Sequence, residues 1–143
     1  MAKFRFAFLL ELAIDEREEA ARSMQAAQAA IVSATQKLEQ VEVFRGEYRN
    51  RLMASGQGGM TVTQYRDFQQ FLGKLDGAAT AQQGEIVRLE QVYTQQKQAW
   101  LECEKKVKAF EALKVRHDQD ELKRESQREQ KLIDEFNSRP RER

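Results

Sequence analysis

Few residues in this chain are of types that do covalent or acid–base chemistry, and their spacing gathers none of them into a set. There is one cysteine and one histidine. Cys103 has no partner for an intrachain disulfide and falls on an apolar stripe, where a buried thiol packs like a small hydrophobe. His117 lies in a charged stretch, with nothing to pair it with a cysteine or serine nucleophile, and reads as an ordinary solvent-facing histidine. Gly56-Gln57-Gly58-Gly59 lacks the lysine and the preceding strand of a phosphate-binding loop, so it reads as a turn. The 23 acidic residues are spread along helical stretches that offer no cleft to raise a carboxyl pKa for catalysis. No spacing suits a metal. No catalytic, cofactor-binding or metal site is assigned, and the chain is expected not to be an enzyme.

The elements that hold these residues are legible in the apolar pattern. One stripe advances in alternating steps of four and three through Phe6, Leu10, Ala13, Arg17, Ala20, Met24, Ala27, Ile31, Ala34, Leu38, Val41, Arg45, Tyr48 and Leu52. A second runs through Tyr65, Phe68, Leu72, Leu75, Ala79, Gln82, Ile86, Leu89, Tyr93, Gln96, Trp100, Cys103, Val107 and Phe110. A repeat averaging 3.5 residues keeps one face of an under-wound helix against a partner. Between the stripes, Ser55 to Gly59 is a turn cluster, and Thr61-Val62-Thr63-Gln64 matches a capping box. The sequence therefore predicts an all-α fold: a long antiparallel two-helix coiled-coil hairpin, with the C-terminal helix overhanging the N-terminal one. The expected organisation is a single coiled-coil domain over 1–143, with helix 1 over 4–54, a turn over 55–61, helix 2 over 62–137 and a disordered tail over 138–143. At 1.5 Å per residue the helices would be roughly 75 Å and 110 Å long.

Counting outward from the turn brings Phe6 level with Phe110, where helix 1 is about to end. Beyond Phe110 the stripe loses its phase, so residues 111–137 are expected to overhang, with Leu122, Leu132, Ile133 and Phe136 as candidate contacts for a partner. Nearer the turn, Phe44 and Phe71 sit one place off their stripes at similar height. They either form an exposed patch or widen the core. Gly46, Gly73 and Gly77 fall at the same height and either permit close backbone approach or leave this end pliable.

Charge narrows the function classes. The formal net charge is +1 with 33% charged residues, interleaved in sign, which argues against a nucleic-acid binder. The apolar opening is broken by Glu11 and is too short to span a membrane, and no small-residue cleavage pattern follows it. A cytoplasmic protein is expected.

Four short segments carry a resemblance. Phe4-Arg5-Phe6 with Leu9-Leu10-Glu11-Leu12, Glu47-Tyr48-Arg49, Phe68-Gln69-Gln70-Phe71-Leu72, and Lys131 to Phe136 stand in order around one glycine-rich turn. In this the chain resembles the flagellar export protein FliJ family, the stalk component of the flagellar type III export apparatus. The resemblance implies an antiparallel coiled coil like the central stalk of rotary ATPases. It implies a non-enzymatic adaptor whose terminal end binds a hexameric flagellar export ATPase and promotes ring assembly, through Phe4, Phe6, Leu10, Leu132, Ile133 and Phe136. It further implies that the region flanking the turn binds the cytoplasmic domain of a membrane export-gate protein through Lys37, Val41, Phe44, Tyr48, Phe71, Leu75, Ala78 and Gln82. Export chaperones are further implied partners. The implied location is the inner face of the cell membrane at the flagellar base, reached through partners. Two alternatives stay open: the stalk of an injectisome, and a passive coiled-coil scaffold that associates only with itself.

Overall fold

The computed structural model describes residues 3–139. It contains two helices, α1 over Ala7–Gln57 and α2 over Val62–Ser138, and no strand among the described residues. Four residues join them. Gly58, Gly59, Met60 and Thr61 make the turn, and Gly59 takes a left-handed φ of 92°, a conformation that costs any residue with a Cβ. The capping box then starts α2: the Gln64 amide donates to Thr61 Oγ1 at 3.1 Å, and the Thr61 amide donates to Gln64 Oε1 at 3.1 Å. Two of the orphan donors at the helix start are thereby satisfied.

The helix ends differ from the sequence reading in three places. Ser55, Gly56 and Gln57, read as turn, remain helical, because α1 continues until the left-handed glycine. Residues 4–6, read as helix, precede α1 in a turn closed by the Ala7 amide donating to the Phe4 carbonyl at 3.2 Å. At the far end Ser138, placed in the tail, is the last residue of α2 and Arg139 follows it; residues 140–143 of that tail lie outside the described residues.

Contact density divides the chain into two compact units, one of residues up to Ala20 with those from Ala99 onward, the other of Ala21–Gln98. Each contains both helices side by side. In the terminal unit, Leu10, Ala13 and the fully buried Val107 form a core, flanked by Phe4, Ile14 and Phe110. The second unit buries mainly alanines, Ala27, Ala34 and Ala79, beside half-buried Ile31, Leu38, Leu72, Ile86 and Leu89. Small residues at these positions let two helices approach closely, and the large half-buried ones close the seam from its flanks. Every position of the first stripe is buried or half-buried, as is every position of the second except Tyr65 beside the turn.

The polar breaks in the stripes are specific contacts. Arg17 donates to Glu104 at 3.3 Å in the terminal unit, and Arg45 donates to Asp76 at 3.2 Å in the other. Gln82 donates its amide to the Ala34 carbonyl at 2.9 Å. A polar group on a seam is satisfied in only one register, so each of these contacts selects the alignment of its own unit at some cost in stability. The aromatic pair Phe6–Phe110, with ring centroids 6.3 Å apart, falls where counting from the turn places it.

Candidate docking faces

In the unit beside the turn the off-stripe aromatics are both stacked and open. Phe44 and Phe71 meet edge to face at 6.3 Å, and Tyr48 packs on Phe71 at 4.6 Å and on Phe68 at 5.1 Å. Phe44 is nevertheless 47% exposed and Phe71 38%. The two sequence alternatives therefore hold together: the rings extend the core sideways and still present an apolar edge to water. Phe44 stands as a ridge between two shallow grooves. One is lined by Lys37, Gln40, Val41, Leu75, Ala78 and Gln82; the other by Gln36, Glu39, Gln40, Val43 and Glu47. The first gathers, with Phe44, six of the eight residues that the family resemblance marks for a gate protein, and Tyr48 and Phe71 adjoin it through the ring stack. Lys37 and Ala78 are exposed, whereas Val41, Tyr48, Leu75 and Gln82 are half-buried in the seam.

Charges frame the same region. Asp76 accepts from Arg45 and lies 3.5 Å from Arg49. A side-chain hydrogen bond from Arg88 holds the half-buried Glu85 carboxyl below its ordinary value, outweighing its desolvation, and the charges of Arg88 and Lys37 act in the same sense. Sequence reasoning missed Val43, which is 62% exposed and lines the second groove; the adjacent apolar pair Val43-Phe44, both off the stripe, was the available signal. No side chain crowds the glycines here. A Cβ added at Gly46, Gly73 or Gly77 would meet nothing within 4 Å, so close backbone approach is not their reason.

In the terminal unit, the expected contact set divides. Leu10 is 8% exposed and packed in the hairpin core, and Phe4 and Phe6 are half-buried. Phe6 lies edge-on to Phe4 at 5.9 Å, with Arg5 stacked 5.5 Å from the Phe6 centroid. Leu132, Ile133 and Phe136 are by contrast open, Phe136 to 74%. On the part of α1 in this unit the open large apolar residues are Phe8, Leu9 and Leu12, which the stripe excluded and which its opposite face could have suggested.

His117 corrects the sequence reading. It is half-buried, and its ring lies 5.5 Å from that of Phe4. One turn further on, Glu121 is 6% exposed and accepts from Arg124 at 3.2 Å. The overhang expected from residue 111 therefore starts later. His117 and Glu121 continue the seam's phase in polar form, and exposure becomes unbroken only from Leu122 to Arg139. On that stretch Leu122, Ile133 and Phe136 share one helix face, spaced by multiples of a turn, while Arg124, Gln127, Arg128 and Lys131 line another. Among the described residues there is no group of three or more metal-ligating side chains, and no helix is long and apolar enough to cross a membrane.

The class that this fold and these faces define is an all-α coiled-coil hairpin whose distinctive side chains lie on open helix surfaces rather than in a cavity. Within that class, residues 2–141 match the family described as Flagellar FliJ protein, and the chain belongs to that family. It is 29% identical over 133 residues to the Flagellar FliJ protein of Escherichia coli (strain K12), covering 93% of this chain and 90% of the relative. To the Flagellar FliJ protein of Salmonella typhi it is 25% identical over 131 residues, 92% of this chain and 89% of the relative. No solved structure matches the chain.

Proposed function

We propose that this chain is a component of flagellar protein export, acting as a stalk and adaptor without catalytic activity of its own. Its terminal end binds a hexameric export ATPase and promotes ring assembly. The face beside the turn binds the cytoplasmic domain of the export-gate protein, which brings the chain to the inner face of the membrane at the flagellar base. The observation that carries this reading is the pair of open apolar faces in a FliJ-family chain, Phe44 with Phe71 in one unit and Leu132, Ile133 and Phe136 in the other. Exposed apolar side chains grouped on one face favour a protein partner. Phe4, Phe6 and Leu10 support the ATPase contact from within the hairpin, by holding the end of the seam closed.

The test is steady-state ATP hydrolysis by the export ATPase of the same organism, titrated with the full chain and with a version ending at Glu121. Stimulation by the full chain alone places the ring contact beyond Glu121. No effect of either on rate or ring assembly sinks the stalk reading, and concentration-dependent growth in light scattering would then favour a self-associating scaffold. In parallel, Phe44→Ala with Phe71→Ala is expected to weaken gate binding and leave ATPase stimulation intact, with Ile133→Asp and Phe136→Asp doing the reverse. Equal loss of both activities from either pair counts against two separate faces.

A further inference from the structure

The seam of α2 does not stop being a seam where its apolar residues end. Carried forward from Phe110 with the same alternation of four and three, it reaches Lys114, His117, Glu121, Arg124, Arg128 and Lys131. His117 and Glu121 are still packed; Arg128 and Lys131 are exposed and make no ion pair among the described residues. Elsewhere the hairpin follows a rule. A cation on the seam of α1 meets a carboxylate on α2, as Arg17 meets Glu104 and Arg45 meets Asp76. Among the described residues, no helix stands opposite Arg128 and Lys131 at these seam positions to supply that carboxylate. Arg124 is already engaged by Glu121, and Gln127 sits between the cations in one shallow groove.

We infer that this cationic face is a docking site for an acidic helical segment of another protein, which lies where α1 would lie if it were longer. The face borders the apolar one, since Leu132 lies one turn beyond Arg128, while Ile133 and Phe136 lie further round the helix. It holds no large apolar side chain, so recognition there is electrostatic and salt-sensitive. The phase argues for a helical occupant, because a continued seam presents the ridge spacing that a neighbouring helix fills. The charge argues for carboxylates at that helix's facing positions. In the stalk reading the segment belongs to the ATPase, and to that extent the assignment rests on that reading.

The experiment uses the full chain and a capped acidic peptide of about 20 residues, helical and with glutamates at seam spacing. Binding is followed by fluorescence anisotropy between roughly 0.05 M and 0.5 M salt. The intact chain is expected to bind at low salt and to lose most of that affinity at high salt. Arg128→Gln with Lys131→Gln should weaken low-salt binding about tenfold and flatten the salt dependence, with an unchanged circular dichroism spectrum. Lys97→Gln with Lys105→Gln removes the same charge elsewhere on α2 and should leave binding unchanged. Equal loss from both pairs, no binding by the intact chain, or binding to phosphatidylglycerol vesicles in place of the peptide overturns the assignment. The ATPase titration decides the stalk reading separately, since peptide binding does not depend on it.

Discussion

Arg17 and Arg45 show how a single side chain sets the alignment of two helices. Each occupies a position that packing alone would give to leucine, and each reaches a carboxylate across the seam. A partly buried pair of this kind contributes little net stability, because desolvation offsets most of the attraction, but it penalises every other register. Replacing both with leucine is expected to raise the thermal midpoint while broadening the oligomeric distribution in light scattering after size-exclusion chromatography. A lower midpoint with an unchanged monomeric species would contradict the register role. Val107 is the opposite case: it is enclosed by neighbours on every side, at 0% exposure. Val107→Ala is expected to cost about 2 kcal/mol in urea unfolding, from lost transfer energy plus a residual cavity.

At the scale of the helices, both stripes were legible because a 3.5-residue repeat is a geometric signature that survives substitution of individual positions. The ends were less so. Three glycines cluster between the stripes, and only the backbone shows that Gly59, with its φ of 92°, is the one that reverses the chain. Gly59→Ala should therefore destabilise, whereas Gly73→Ala and Gly77→Ala, whose new Cβ atoms meet nothing within 4 Å, should each stabilise by about 1 kcal/mol. Thermal unfolding of the three variants checks the contrast, and if the helical glycines serve pliability, the two stabilised variants should bind the proposed gate partner less well. His117 and Glu121 were misread for a related reason. Polar residues in seam phase look the same in sequence whether they are solvated or packed, and only a neighbour such as Phe4 decides which. The candidate faces were partly legible: off-stripe Phe44 and Phe71 marked one, but the division of the terminal set into buried Leu10 and open Phe136 depends on which face each helix turns inward.

For the whole molecule, the shift of the free segment from residue 111 to residue 122 changes where the chain can be cut. A version ending at Glu121 keeps the contact of His117 with Phe4 and should unfold within about 0.5 kcal/mol of the full chain. One ending at Phe110 loses that contact and should be less stable by about a further 1 kcal/mol. Equal stability of the two shortened chains in urea would show that the seam ends at Phe110 after all. The distance in sequence between seam partners also changes steadily from one end to the other. Arg45 and Asp76 are 31 residues apart, whereas Arg17 and Glu104 are 87 apart and Glu16 and Lys106 are 90 apart. On the ribosome, then, the pairing beside the turn can close early, while the first aromatic residues wait for partners about 100 residues behind them, roughly 5–20 s at ordinary elongation rates. The opening stretch from Phe4 to Ile14, the most apolar of the chain, is thus the part that spends longest outside the tunnel without its own half of the seam.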